Sequence, residues 1–536
     1  MDERRAGIAF WAVLAAAALL VSVGSAALPL FDPDESRFAR TSVEMMRSGD
    51  LVVPTYEGQP RLVKPPLLHW IQSTLFRLFG ASEWVARLPS AAATVASLFI
   101  VGWIARRRFG HEGALWAVAV LGTMPLVVAV GRLGTIDALL SVHILAALAL
   151  DIAEPKEVGA YRGLAIGGLL GLAFLAKGPV GVVLPLLIML AGRTASSREI
   201  LPSWSGLLQG IAGWCVVVLP WGLAFLQSVG VADVVTVVRG EALERYFVGA
   251  DHVEPAWFYL AVLAVGFFPW LATLVVALPR TLVQRNEPAA RTALYAAAGL
   301  VVGLFFFSIG KSKLANYVLP LAPLAAILVT WELGQELHAP RERIVGPALL
   351  SASLGAVAVG LTLAIGLGLD PVAVGAAAAG AAIYAIGAVA GLIGLLLRRP
   401  RWVYGAAASA TAAFLVMALV VLVPALSRTR TSAYLIEEVP SLRDPARPVV
   451  IVDMKVPSLT YYLDRAPQEV DLVDLEARLV EDDDPLIVFD EVDVPRAEPA
   501  AMERLGEVGR QGKYIVYRKK ADPAPPGTLD EPGGGL

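Results

Sequence analysis

"GIAFWAVLAAAALLVSVGSAALPLFDPDE", residues 7–35, runs for more than twenty residues without a charge and then sets Asp32, Asp34 and Glu35 almost side by side. About 20 apolar residues cross the hydrocarbon of a bilayer as a helix. The stretch therefore reads as a membrane helix over 7–30 that delivers carboxylates to its far end. Arg4 and Arg5 precede it as they would a secretory signal. It is long for such a signal, and cleavage within "SAALPLFDPDE" would separate the carboxylates from the other candidate residues. It is read as a retained first helix.

The same pattern recurs. Of the 536 residues, 57% are hydrophobic and only 17% charged, too apolar a balance for a set of soluble domains. Apolar blocks fall near 84–104, 113–131, 135–153, 161–176, 178–192, 206–228, 257–278, 293–309, 314–332, 345–368, 372–396 and 402–424, which with the first makes about 13 membrane helices. With the N-terminus inside, the inner connections carry "RRRFG" (106–110), "GRTASSRE" (192–199), "PRTLVQRNEPAAR" (279–291), "APRER" (339–343) and "RRPRW" (398–402). All are arginine-rich, as the positive-inside rule requires. A net charge of −3 leaves no electrostatic footprint for nucleic acid, and a single cysteine, Cys215, allows neither a disulfide framework nor a cysteine metal site.

An odd number of spans puts the 31–83 loop and the segment after about 428 outside. In that segment "PVVIVDM" and "PLIVFDEV" read as buried strands, "LTYYLDR" and "EPAAMERLGEVGR" as helical stretches and "KYIVYRKK" as a last strand. The expected organisation is a transmembrane domain over 1–425, a small accessory α/β domain over 428–520 and a disordered tail over 521–536.

In the outer loop, Asp32-Pro33-Asp34-Glu35 fits a helix start, with Asp32 as N-cap, Pro33 at the first helical position and Glu35 closing a capping box. The helix that follows would carry Arg37, Arg40, Glu44 and Arg47 on a polar face and rest Phe38, Val43, Met45 and Met46 on the bilayer surface. That account leaves Asp34 without a structural task. Lys64 stands before Pro65-Pro66, which biases it toward an extended conformation, and a further amphipathic segment follows with His69 and Trp70.

Other charges stand at the ends of spans, where burial costs roughly 2.5–3.5 kcal/mol at full depth, so each is a candidate for function. Asp137 opens the fourth span; its structural alternative is a carboxylate favoured by a helix N-terminus. Lys177 lies between two spans and has snorkelling as its alternative. Lys311, Lys313 and Tyr317 lie in "SIGKSKLANYVLP", and Arg245 and His252 in the loop before the interfacial belt Trp257-Phe258-Tyr259. Together Asp34, Lys64, Asp137, Lys177, Arg245, Lys311 and Lys313 map to one membrane face, where five cations and two carboxylates suit an anion site beside a base. Walker, HExxH and GxSxG motifs are absent from the sequence.

"DPDESRFARTSVEMMRSGDLVVPTYEGQPRLVKPPLLHWI", "RLPSA", "GTIDALL", "GLAFLAKGP" and "GKSKLANYVLP" together resemble the aminoarabinose-transferase branch of the GT-C membrane glycosyltransferases, related to protein O-mannosyltransferases, over about residues 7–335. Two positions depart from the family pattern: Phe38 replaces a tyrosine, and Val63 stands where a glutamate often precedes the KPP. The resemblance implies a GT-C fold in a bacterial cytoplasmic membrane, with the active site facing outward. It implies an inverting transferase that passes a sugar from a polyprenyl-phosphate carrier to a lipid or glycan acceptor, lipid A-like in that branch. Asp34 would be the catalytic acid residue and Asp137 the second carboxylate. Lys64, Lys177, Arg245, Lys311, Lys313 and Tyr317, with Arg37 and His252 nearby, would hold the donor phosphate. No cofactor is indicated; a divalent metal is left open, without a ligand pattern of its own. The alternatives are transfer of mannose to protein Ser or Thr, and a lipid-linked sugar flippase, against which stands the absence of a visible internal repeat.

Overall fold

The computed structural model describes residues 3–153, 159–240, 252–285, 287, 290–339, 343–367, 371–481 and 484–520. The chain divides into two compact units. One comprises Met1–Leu28 with Phe38–Ala425, the other Pro29–Arg37 with Leu426–Leu536.

Helices dominate the first unit, and each of the thirteen apolar blocks forms a helix or a broken helix. They begin with α1 (Glu3–Ser22), α2 (Asp34–Ser48, shared with the second unit) and α3 (Leu67–Phe79). The 40-residue α4 (Glu83–Gly122) holds two blocks, because Gly110 leaves the helical region at φ 77°, ψ −172°. Its second limb resumes after Thr123 as α5 (Pro125–Gly131). Then follow α6 (Asp137–Ile152), α7 (Arg162–Lys177), α8 (Val180–Ala195), α9 (Trp204–Val229) and α10 (Val231–Val238). The break between α7 and α8 rests on Gly178 at φ 73° and Pro179, which lacks an N–H. Next come α11 (Phe258–Gly266) and α12 (Leu271–Val283), meeting at 113°, and α13 (Ala290–Ile309). A 3₁₀ segment over Ala315–Leu321 leads into α14 (Ala322–His338), followed by α15 (Val345–Ala364), α16 (Pro371–Leu396) and α17 (Pro400–Met417). Among the described residues, eight helices are long and apolar enough to cross a membrane, or nine with the bent pair as one.

Small residues let α7 and α9 touch along their backbones. A methyl group on Gly167 would stand 1.9 Å from the Gly210 carbonyl oxygen, and one on Gly213 would stand 2.2 Å from that of Leu164. Where lipid is as apolar as the side chains, such close packing is what holds helices together. A charge within the spans is matched too: Arg280 donates to Glu332 and lies 3.8 Å from Glu336, to which Tyr404 also donates over 2.6 Å.

Between α2 and α3 lies a two-stranded hairpin, β1 (Thr55–Tyr56) and β2 (Gln59–Pro60). Glu44 of α2 ties it down, accepting from the Thr55 hydroxyl over 2.8 Å and from the Glu57 and Gly58 amides over 2.9 and 3.2 Å. Burial alone would raise the Glu44 carboxyl, but these bonds and one from Arg40 outweigh it and hold it below its usual range. The apolar face of α2 does not rest on a bilayer surface as expected. Phe38, Val43 and Met45 are buried in protein.

The second unit contains β3 (Val449–Val452), β4 (Gln468–Val470), β5 (Leu486–Asp490), β6 (Leu505–Gln511) and β7 (Tyr514–Lys519) in the order β4-β3-β5-β7-β6. β3 runs parallel to β4 and β5; β7 is antiparallel to β5 and β6. Val449, Ile451, Leu486 and Val488 face one apolar cluster, and Val450, Val452, Ile487 and Phe489 face the other. "LTYYLDR" is helical over Pro457–Leu463, in agreement with its pattern. The expectation of helix for "EPAAMERLGEVGR" holds only for Pro499–Glu503; from Leu505 it is strand. Gly506 and Gly509 weaken a helix there, a bulge at Glu507/Gly509 takes up the irregularity, and Gly512 at φ 58° turns the chain back into β7. The tail over 521–536, expected to be disordered, lies outside the described residues.

Candidate active site

In the second unit the three opening carboxylates have separate tasks. Asp32 does not cap a helix as expected: its carboxylate accepts from the Ser458 amide over 2.7 Å and from the Ser458 hydroxyl. Burial pushes the Asp32 carboxyl up to about 6, against the pull of these bonds. Glu35 accepts the Phe31 amide over 2.9 Å. Asp34 begins α2 with 52% of its side chain exposed and Arg37 at 3.9 Å. Its carboxylate accepts no side-chain or backbone hydrogen bond among the described residues, so it is the one of the three left open to solvent.

In the first unit, three segments far apart in sequence converge. Asp137 opens α6 and is buried; Lys177 closes α7; Asn316 stands in the 3₁₀ segment before α14. Lys177 Nζ donates to Asp137 Oδ1, and Asn316 Nδ2 donates to Oδ2 over 2.7 Å. The ammonium also lies 4.2 Å from the centre of the Tyr317 ring, within cation–π range. An ammonium has three N–H donors, so this cation is fixed in place with further donors to offer. Gly178, the next residue, is 4.0 Å (from an added Cβ) from Pro65, which brings half-buried Lys64 to the same break between α7 and α8.

Other expected site residues are placed differently. Val253 and Ser312 form an isolated antiparallel bridge, flanked by Lys313 N–H to His252 O (2.9 Å) and by Glu254 N–H to Lys311 O (3.5 Å). Lys313 is buried and donates to the Glu254 carbonyl over 2.8 Å, whereas Lys311 and His252 are exposed. Arg245 lies outside the described residues. His69 is structural: buried against Ser42, which also donates to Gln72, it is pushed down to about 3 by burial and stays neutral. Among the described residues no group of three or more His, Cys, Asp or Glu side chains forms a metal-binding cluster. Two residues with evident tasks, Asn316 and Glu44, were not among the sequence candidates. A polar residue beside Tyr317 at the head of an apolar run was the available signal for Asn316. Glu44 has the pattern of one more solvated helix position, and no local signal marks it.

Residues 63–223 match the family model described as dolichyl-phosphate-mannose-protein mannosyltransferase. The undecaprenyl phosphate-alpha-4-amino-4-deoxy-L-arabinose arabinosyl transferase of Pectobacterium carotovorum is 31% identical over 63% of this chain and 62% of its own. That of Edwardsiella ictaluri is 30% identical over 61% and 60%. The matches thus span somewhat over half the length of these curated relatives. In fold, the crystal structure of ArnT from Cupriavidus metallidurans bound to undecaprenyl phosphate superposes with a TM-score of 0.75 at 22% identity, over 95% of this chain and 98% of the other. The chain is thus a multi-pass membrane protein, similar over part of its length in sequence to the aminoarabinose transferases and similar in fold to ArnT.

Proposed function

We propose that the chain is an inverting glycosyltransferase, moving a sugar from a polyprenyl-phosphate carrier to a lipid or glycan acceptor at the outer face of a bacterial cytoplasmic membrane. The observation that carries this is the fixed cation: Lys177, held by Asp137 and backed by Tyr317, beside the Lys64-Pro65 segment. Such a cation suits a phosphate that gains charge as it leaves, in a site of low dielectric. The acceptor oxygen would bond to the anomeric carbon from the face opposite the carrier, the carbon–oxygen bond to the phosphate would break, and Asp34 would take the proton of a hydroxyl acceptor. A phosphate acceptor, already ionised, would need orientation only. Asp137 has both oxygens committed, which suits a positioning role better than proton transfer.

Lipids and envelope glycans of a deletion strain, complemented with wild type or Asp34→Asn and compared by mass spectrometry, test the reading. It requires one sugar to vanish and return only with wild type. Equal rescue by the variant would remove Asp34 from the mechanism. The match of residues 63–223 to a protein mannosyltransferase model supports a second reading, O-mannosylation of protein, which predicts intact lipids and unglycosylated secreted proteins in the same strain.

A further inference from the structure

Three arginine clusters that positive-inside bias accounts for only by sidedness converge on one cavity. It measures about 1270 Å³ and lies at the ends of α6, α7 and α8 away from Asp137 and Lys177. Along α6, Asp137 and Asp151 are fourteen residues apart, about 21 Å at 1.5 Å per residue. At the Asp151 end, Arg193 and Arg162 pair with the buried Asp151 carboxylate, Tyr295 donates to it over 2.7 Å, and Arg198 donates to the Asp151 carbonyl over 3.0 Å. Arg291 also lines the cavity, so among the described residues Arg162, Arg193, Arg198 and Arg291 stand there with two carboxylates, Asp151 and Glu199. The surplus is cationic, and guanidinium groups match phosphate in geometry.

The remaining wall is of another kind. Val182, Leu186 and Leu190 of α8 and Ile166 and Leu170 of α7 carry it toward the middle of the spans. Gln209 Oε1 and Trp214 Nε1 lie on this wall, both buried and neither with a hydrogen-bond partner among the described residues. An unpaired N–H in an apolar interior is costly, and an occupant carrying an acceptor oxygen would relieve that of Trp214; the Gln209 amide oxygen is itself an acceptor and calls for an O–H donor. A free phosphate would fill only a corner of the space.

We propose that this cavity binds a phosphate-bearing amphiphile, its headgroup among the arginines and its chain along the apolar wall of α7 and α8, at a site separate from the one at Lys177. The proposal does not depend on the reaction assigned to the other end.

The test uses the full chain in nanodiscs and farnesyl phosphate carrying a diazirine on its chain, with inorganic phosphate and farnesol as competitors and peptide mapping as the readout. Labelling is expected on peptides from 182–190 and 207–214, weakened about tenfold in Arg198→Gln and in Arg291→Gln, the change expected when one charge-assisted hydrogen bond is lost. Trp214→Phe keeps an aromatic side chain while removing the N–H together with the five-membered ring, and is expected to weaken labelling as well. Lys64→Gln is expected to leave labelling at this end unchanged. Labels confined to 64–70 and 311–317, or labelling equal in all the arginine variants, would overturn the proposal. Displacement by inorganic phosphate as effective as by unlabelled farnesyl phosphate would overturn the amphiphile in favour of a soluble anion, and displacement by farnesol as effective would overturn the phosphate.

Discussion

Lys177 and Asp137 form a buried ion pair between the last residue of one helix and the first of another, forty positions apart in sequence. Removing one member of such a pair leaves the other charge buried alone, typically at about 3–5 kcal/mol. Asp137→Asn and Lys177→Met are therefore expected to destabilise the protein by amounts of that order. The double variant should recover much of the loss, because neither charge remains. Thermal unfolding of the four proteins in one detergent closes the cycle. Additive losses would show that the pair is not coupled in the folded protein.

Asp34 offers the opposite case. Its side chain is half-exposed and accepts no hydrogen bond among the described residues, so Asp34→Asn removes a charge whose ion-pair partner, Arg37 at 3.9 Å, keeps its contact with solvent. Unfolding temperature is expected to stay within the small range of surface substitutions. Turnover, measured with a polyprenyl-phosphate sugar donor, should fall by roughly 10²–10⁴, the span of general base catalysis. A fall in stability with activity retained would give Asp34 a structural task in place of the catalytic one.

Asp32 predicts a pH dependence confined to the second unit. Burial holds its carboxyl at about 6 when folded, against 3.8 as the ordinary value. The folded form therefore keeps a proton that the unfolded chain has released between those pH values, and stability falls as pH rises through the window. The raised carboxyl costs, above pH 6, about 3 kcal/mol relative to acid, at 1.36 kcal/mol per unit. Hydrogen exchange over Val456–Thr460, corrected for its intrinsic pH dependence, should show protection rising from pH 7 to pH 4. In Asp32→Asn that rise should flatten.

The long helices were legible in sequence because crossing a bilayer demands about twenty apolar residues in a row, a length that eight helices among the described residues reach and the 16-residue α6, α7 and α8 do not. Even the doubtful break at Lys177-Gly178-Pro179 could be read from residue types. What escaped was pairing across sequence. No local pattern says that Asn316 meets Asp137, that Glu44 holds a hairpin eleven residues on, or that Asp32 answers to Ser458. Strand β6 escaped for another reason: "AMERLGEVGR" has a helix-like charge spacing, and β7 and its hairpin override it. The charged candidates Lys177 and Asp137 were legible because isolated charges at span ends are costly, but Lys313 met the same criterion and holds a backbone carbonyl.

The contact of α7 with α9 yields the last prediction. Gly167→Val would need space that the Gly210 carbonyl occupies, 1.9 Å from the added Cβ, and backbone cannot swing away as a side-chain tip can. The helices would have to separate, opening the wall of the arginine cavity and shifting Lys177 at the far end of α7. Overpacking of this kind costs about 1–3 kcal/mol or more. Gly168→Ala is the matched control: its Cβ would have 3.9 Å to its nearest neighbour and one residue fewer of backbone freedom to lose. Gly167→Val is expected to lower the unfolding temperature and the yield of folded protein in detergent, while Gly168→Ala leaves both unchanged or slightly raised. If the two behave alike, the backbone contact between α7 and α9 is not what holds these helices.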